Sequence, residues 1–171
     1  MKKFFFYDPK LLVYGFLIVF FASYGQTFFI SIFNYEIRSH YNLSDGEFGL
    51  IYAIATILSA VILISFAKLI DYIDLRIYSL FISIGMILSC LAMFFFIKHV
   101  LFLLFIIFSL RFFGQGAMGH AGETTMARYF GNNRGKALSV STLGGMTGVM
   151  FLPILIIYLM KYYTLNQIWL A

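Results

Sequence analysis

Long apolar runs joined by short polar links define this chain. Five runs, at residues 11–33, 48–67, 77–97, 101–124 and 137–160, are long enough to cross a bilayer as helix, which takes about 20 residues. A sixth begins near Gln167. The first run follows Met1-Lys2-Lys3, as a secretory signal would. Its apolar stretch is too long for a signal's core, and no small-x-small site leads into a soluble domain, so it reads as a retained span. The links are short. Lys98-His99 leaves room only for a tight helical hairpin, and the longer link 34–47 carries turn-forming Asn42, Ser44, Asp45 and Gly46. The expected class is an all-α integral membrane bundle of five spans plus the start of a sixth.

Composition agrees. The 171 residues are 62% apolar and 11% charged, against about 45–50% and 25% in soluble domains. The net charge of +5 forms no basic stripe, so no nucleic-acid partner is expected. The basic residues lie between the apolar runs and set topology instead. With the N-terminus inside, cytoplasmic segments hold Lys2, Lys3, Lys10, Lys68, Arg76, Arg128, Arg134 and Lys136, and external segments hold Arg38, Lys98 and Lys161. This satisfies the positive-inside rule and fits a multi-pass protein of the plasma (inner) membrane. The single cysteine, Cys90, lies inside an apolar run and forms no intramolecular disulfide.

Polar residues inside the runs need a reason, because lipid penalises them. A central arginine costs about 2.5–3.5 kcal/mol on insertion scales. Arg111 sits near the middle of the fourth run, with Gln115 one turn on along the same face. Ser23, Gln26 and Thr27 form a polar patch in the first run, and Tyr52, Thr56 and Ser59 share a face in the second. Arg111 is either a structural cation paired with a carbonyl or carboxylate of a neighbouring helix, or a site for an anion or for coupling. The Ser and Thr hydroxyls can also bond their own backbone. Arg111, Gln115, Gln26, Thr27 and Ser23 are the candidate solute contacts. His120 and Glu123 form an H-x-x-E pair and are candidates for coupling or proton relay. No further His, Cys or carboxylate cluster accompanies them, so neither a metal nor another cofactor is expected. Gly144 and Gly148, and Ala117 and Ala121, are small-x-x-x-small pairs suited to close helix packing. Pro153 is expected to bend the fifth span. No nucleophile elbow, phosphate loop or zinc-protease motif occurs, so no enzymatic activity is expected.

Tyr24-Gly25-Gln26 lies midway along the first run and Phe113-Gly114-Gln115 midway along the fourth. An aromatic-Gly-Gln echo three spans apart suits a three-plus-three repeat, and transporters often bind solute at repeat-related positions.

Three segments then resemble the N-terminal half of a major facilitator superfamily transporter, near the monocarboxylate and oxalate–formate carriers. One is Tyr24-Gly25-Gln26-Thr27-Phe28-Phe29-Ile30-Ser31. Another is the link Ala67-Lys68-Leu69-Ile70-Asp71-Tyr72-Ile73-Asp74-Leu75-Arg76, in which Asp71 and Arg76 match the family's G-x-L-a-D-r-x-G-r-[KR] signature while Ala67, Tyr72, Asp74 and Leu75 depart from it. The most specific is Arg111-Phe112-Phe113-Gly114-Gln115-Gly116 with Thr125 to Phe130 and Arg134 to Ser139. Val149 stands where relatives often carry an acid.

The resemblance implies two six-helix bundles rocking around a central site, with alternating access for a small solute, here an organic anion. It implies that this chain is a fragment whose partners are the lipid bilayer and a missing C-terminal bundle. Asp71, Arg76, Arg128 and Arg134 become candidates for a cytoplasmic gate, with Asp71 pairing with Arg128, Arg134 or the missing half. The competing reading is a small multi-span scaffold or subunit without transport activity.

Overall fold

The computed structural model describes residues 8–95 and 97–170. Lys2 and Lys3, counted above as topology signals, and the last residue of the sixth run lie outside the described residues. The described residues are helical, with no β-strand among them.

Four continuous helical segments are long and apolar enough to cross a membrane: Asp45–Asp71, Leu75–Phe95, Val100–Tyr129 and Gly131–Leu159. They correspond to the second to fifth runs. The first run differs. Helix α1 (Pro9–Ala22) starts on an Asp8 side chain that accepts from the Leu11 N–H at 3.1 Å, with proline in its first turn. A tight turn, Ser23–Gly25, ends it. Gln26 is extended (φ −79°, ψ 153°), and the chain re-enters helix as α2 (Thr27–Ile32) and α3 (Asn34–Tyr41). The continuous helix expected over 11–33 is thus a broken one. The break lies where the first span meets the fourth, at the contact described below.

Asn42 closes α3 in the left-handed conformation (φ 55°), and the Leu43 N–H bonds back to the Arg38 carbonyl at 2.9 Å. Ser44 and Glu47 then cap each other's backbone at the start of α4 (Asp45–Phe66). Helix α5 (Leu75–Phe95) follows. The fourth span is α6 (Val100–Leu110), a π-helical segment Arg111–Met118, and α7 (Gly119–Tyr129). Helix α8 (Arg134–Leu159) runs through Pro153 as one helix, and α9 (Leu165–Leu170) lies against α5.

Glycines set the closest approaches. α1 lies against α8 and α7. A β-carbon on Gly144 would overlap the Phe16 carbonyl, and one on Gly148 would overlap the Ser23 hydroxyl. The G-x-x-x-G therefore serves contact with α1, as small residues do in membrane bundles. Ala117 and Ala121 are fully buried. Phe113 lies in the notch at Gly85 on α5, where a β-carbon would meet its ring. One aromatic run, Phe108, Phe112 and Phe66, links the fourth span to α4.

Candidate functional site

The site is built where the break in the first span meets the π-helical segment of the fourth. Gly25 ends the turn after α1, and its α-carbon lies directly on the fourth span. A side chain there would overlap the Leu110 carbonyl and press on Gly114 and Gln115. Gly114 has the mirror constraint, since a β-carbon on it would sit 2.7 Å from the Gly25 α-carbon. Glycine at both positions is what lets the backbones meet.

Arg111 is the first residue of the π-helical segment, at the point of that meeting. It is only 7% exposed. Its Nη1 donates to the Gly25 carbonyl at 3.2 Å and to the Thr27 hydroxyl at 3.1 Å, on either side of the break. The break removes helical partners from the α1 carbonyls, and the carbonyl end of a helix carries partial negative charge. The guanidinium answers both. Tyr52, from α4, completes the arrangement. Its hydroxyl donates to Thr27 Oγ1 at 3.0 Å, and the Arg111 guanidinium carbon lies 5.3 Å from its ring centroid, within cation–π range. Arg111 Nε is buried and has no hydrogen-bond partner among the described residues. Thr56, one turn along α4 from Tyr52, also carries a buried hydroxyl without a partner.

The other sequence candidates are distributed differently. Gln26 is half-buried at the break itself, and Gln115 is exposed. Among the described residues, neither side chain is hydrogen-bonded to Arg111. Ser23 is buried against Gly148 of α8. His120 has its ring 3.4 Å from the Thr124 hydroxyl, while Glu123 is exposed. No cluster of three or more potential metal ligands occurs among the described residues. In the sequence Tyr52 is one of three polar residues on a face, with Thr56 and Ser59. Its spacing gave no sign that it meets both Arg111 and Thr27, because that depends on how the second span packs.

A second polar group lies at the end of the bundle where α4 and α7 finish. Arg128 donates to the Asp71 carboxylate, and its Nη1 donates to the Ile70 carbonyl at 3.2 Å. A polar cavity of about 240 Å3 adjoins them, lined also by Asp74, Thr124 and Thr125. Arg76 and Arg134 are exposed nearby in sequence, and the Arg76 N–H bonds to Asp74 Oδ1 at 2.8 Å. At the opposite end, Arg38 pairs with Asp45 at 2.9 Å and bonds Asn34 at 2.8 Å, and the Tyr41 hydroxyl donates to the Ile97 carbonyl at 2.9 Å. A cavity of about 420 Å3, lined by Tyr24, Phe29, Met86, Cys90 and Trp169 among others, is mainly apolar. Arg111 lines neither cavity.

Apolar helices of spanning length, enclosing a buried arginine at a helix break, define a multi-pass membrane protein with a polar centre. A family model for the Major Facilitator Superfamily matches residues 15–171, and the chain belongs to that family. Its members are transporters, not enzymes, so membrane transport is the general function of the fold. No individual curated protein, and no solved structure, matches the chain closely enough to count as similar.

Proposed function

We propose that the chain takes part in secondary active transport of a small organic anion by alternating access, with Arg111 as the anion-recognising group. Arg111 is buried deep in a span, and among the described residues it has no carboxylate as a hydrogen-bond partner and its Nε has no partner. That single observation carries the reading. A structural cation in lipid is held by an acid or by backbone carbonyls, and only the acid cancels its charge. Among the described residues this one is held by a carbonyl, a hydroxyl and the Tyr52 ring, which leaves a net positive charge for a solute to answer. A guanidinium offers a planar fork suited to a carboxylate. Gln26 and Gln115, on either side of the glycine crossing, supply neutral donors near the same level of the bundle.

In this reading the bundle works against a second bundle of the same family kind. The end carrying Asp71 and Arg128 faces the cytoplasm of a plasma (inner) membrane, as the distribution of Lys and Arg supports. Solute enters from one side while the other is shut.

The test is uptake by the intact protein in proteoliposomes, using labelled acetate, lactate and oxalate. Arg111→Gln should abolish uptake while the protein still reaches the membrane. Arg111→Lys keeps the charge and loses the fork, so it should transport poorly. Normal uptake by the Gln variant rules out Arg111 as the recognising group.

A further inference from the structure

Arg111 has two claims on it. The break in the first span uses its Nη1, through the Gly25 carbonyl at 3.2 Å and the Thr27 hydroxyl at 3.1 Å. An anion arriving at the site would use the same guanidinium. Both of its present partners are oxygen acceptors toward it, as the oxygens of a carboxylate would be. They are neutral, and a charged acceptor binds a guanidinium more strongly.

We propose that the Gly25 carbonyl and the Thr27 hydroxyl are a built-in stand-in for the anion. They hold Arg111 when the site is empty, and an anionic solute displaces them and frees the first span to move about Gln26. This rests on the reading of Arg111 as the anion site. Tyr52 is the positioning residue. Its ring holds the guanidinium and its hydroxyl holds Thr27, so both halves of the stand-in are aimed by one side chain. Thr27, which the sequence suggested as a solute contact, takes the opposite part and competes with the solute.

The surroundings suit a movable joint. Gln26 is extended, with helix on both sides. The facing segment Arg111–Met118 is π-helical, a winding that recurs at functional sites. The Arg111 Nε is unpartnered on the same guanidinium, so the side chain has a donor in hand while its Nη1 changes partner.

Competition fixes the sign of every effect. Two ligands of one group weaken each other reciprocally. An anion that takes Nη1 loosens the break, and loosening the break tightens the binding of such an anion. A variant that merely damages the fold would weaken binding instead.

The experiment uses the intact protein in nanodiscs. Acetate, lactate and oxalate are titrated at constant ionic strength, and hydrogen exchange is followed in the segment 23–30. In the unaltered protein, at least one anion should raise exchange there saturably. Thr27→Val should raise exchange without anion and lower the anion midpoint about tenfold, the scale of one hydrogen bond to a charged group. Thr27→Ser restores the hydroxyl and should reverse both changes. Tyr52→Phe keeps the ring and removes only the bond to Thr27, so it should act in the same direction by less. Should Thr27→Val leave both readouts where they were, or weaken anion binding, the stand-in is overturned although the anion site survives. If no anion produces a saturable response that depends on Arg111, the anion site itself falls and the stand-in with it.

Discussion

Gly25 and Gly114 touch backbone to backbone where the first and fourth spans cross. They are the central residues of the two aromatic-Gly-Gln segments that echo each other along the chain. The echo is therefore also a contact, in which the two matching tripeptides lie against one another at the middle of the bundle. Arg111 stands three residues before one of these glycines and holds the carbonyl of the other.

This contact gives the sharpest stability prediction. Gly25→Ala should destabilise the protein by about 3 kcal/mol, the upper end of the range for overfilling a packed site, because the added carbon would meet backbone that cannot rotate away. Gly114→Ala should be similar. Gly46→Ala is the contrast. Nothing lies within 4 Å of a β-carbon there, so the change should be neutral or slightly stabilising in a helix. Thermal unfolding in detergent compares the three, and equal melting temperatures for Gly25→Ala and Gly46→Ala would mean the crossing is loose.

Much of the architecture was legible because it depends on run length. Four of the five apolar runs match continuous helices, whose ends shift by a few residues where polar caps set them, as Ser44 and Glu47 do at Asp45. The break at Gln26 was not legible. Hydropathy reports how much chain sits in lipid, not how it is wound, and the residue that satisfies the broken end is Arg111, 86 positions from Gly25. The π winding over Arg111–Met118 is hidden for the same reason. In the candidate site, Arg111 stood out by its charge alone. Tyr52 did not, because its role depends on a meeting of three spans.

The exposed pair of Asp71 and Arg128 should contribute little to stability, at most about 1 kcal/mol, and more to the balance between conformations. Asp71→Asn is expected to shift the intact protein toward the state open to the cytoplasm. Arg128→Gln should shift it further, because Arg128 also holds the Ile70 carbonyl. Cysteine accessibility in the two vestibules reads the balance, and a larger effect from Asp71→Asn than from Arg128→Gln contradicts the assignment of the second bond.

Orientation is tested by labelling single cysteines in a Cys90→Ala background. His99 and Asp45 lie at one end of the bundle, and Asp74 and Asn133 at the other. Cysteines at His99 and Asp45 should react with an impermeant reagent in intact cells, and those at Asp74 and Asn133 only after permeabilisation. External reaction at Asn133 reverses the topology.

The broken first span also bears on how the nascent chain is assembled. When residues 9–41 leave the ribosome, Arg111 has not yet been made. An unpaired Gly25 carbonyl in hydrocarbon costs several kcal/mol, so the early span is expected to enter the bilayer as an unbroken helix, with that carbonyl bonded inside it. The break then forms only once residues 100–118 arrive with the guanidinium. Hydrogen exchange on ribosome-stalled chains should find residues 23–30 protected before that point and open after it. An open segment in the shorter chain would mean that the break is written into the first span itself. On the expected order, the late span finishes the early one, and insertion in sequence yields a site whose two halves are never exposed to lipid unpaired.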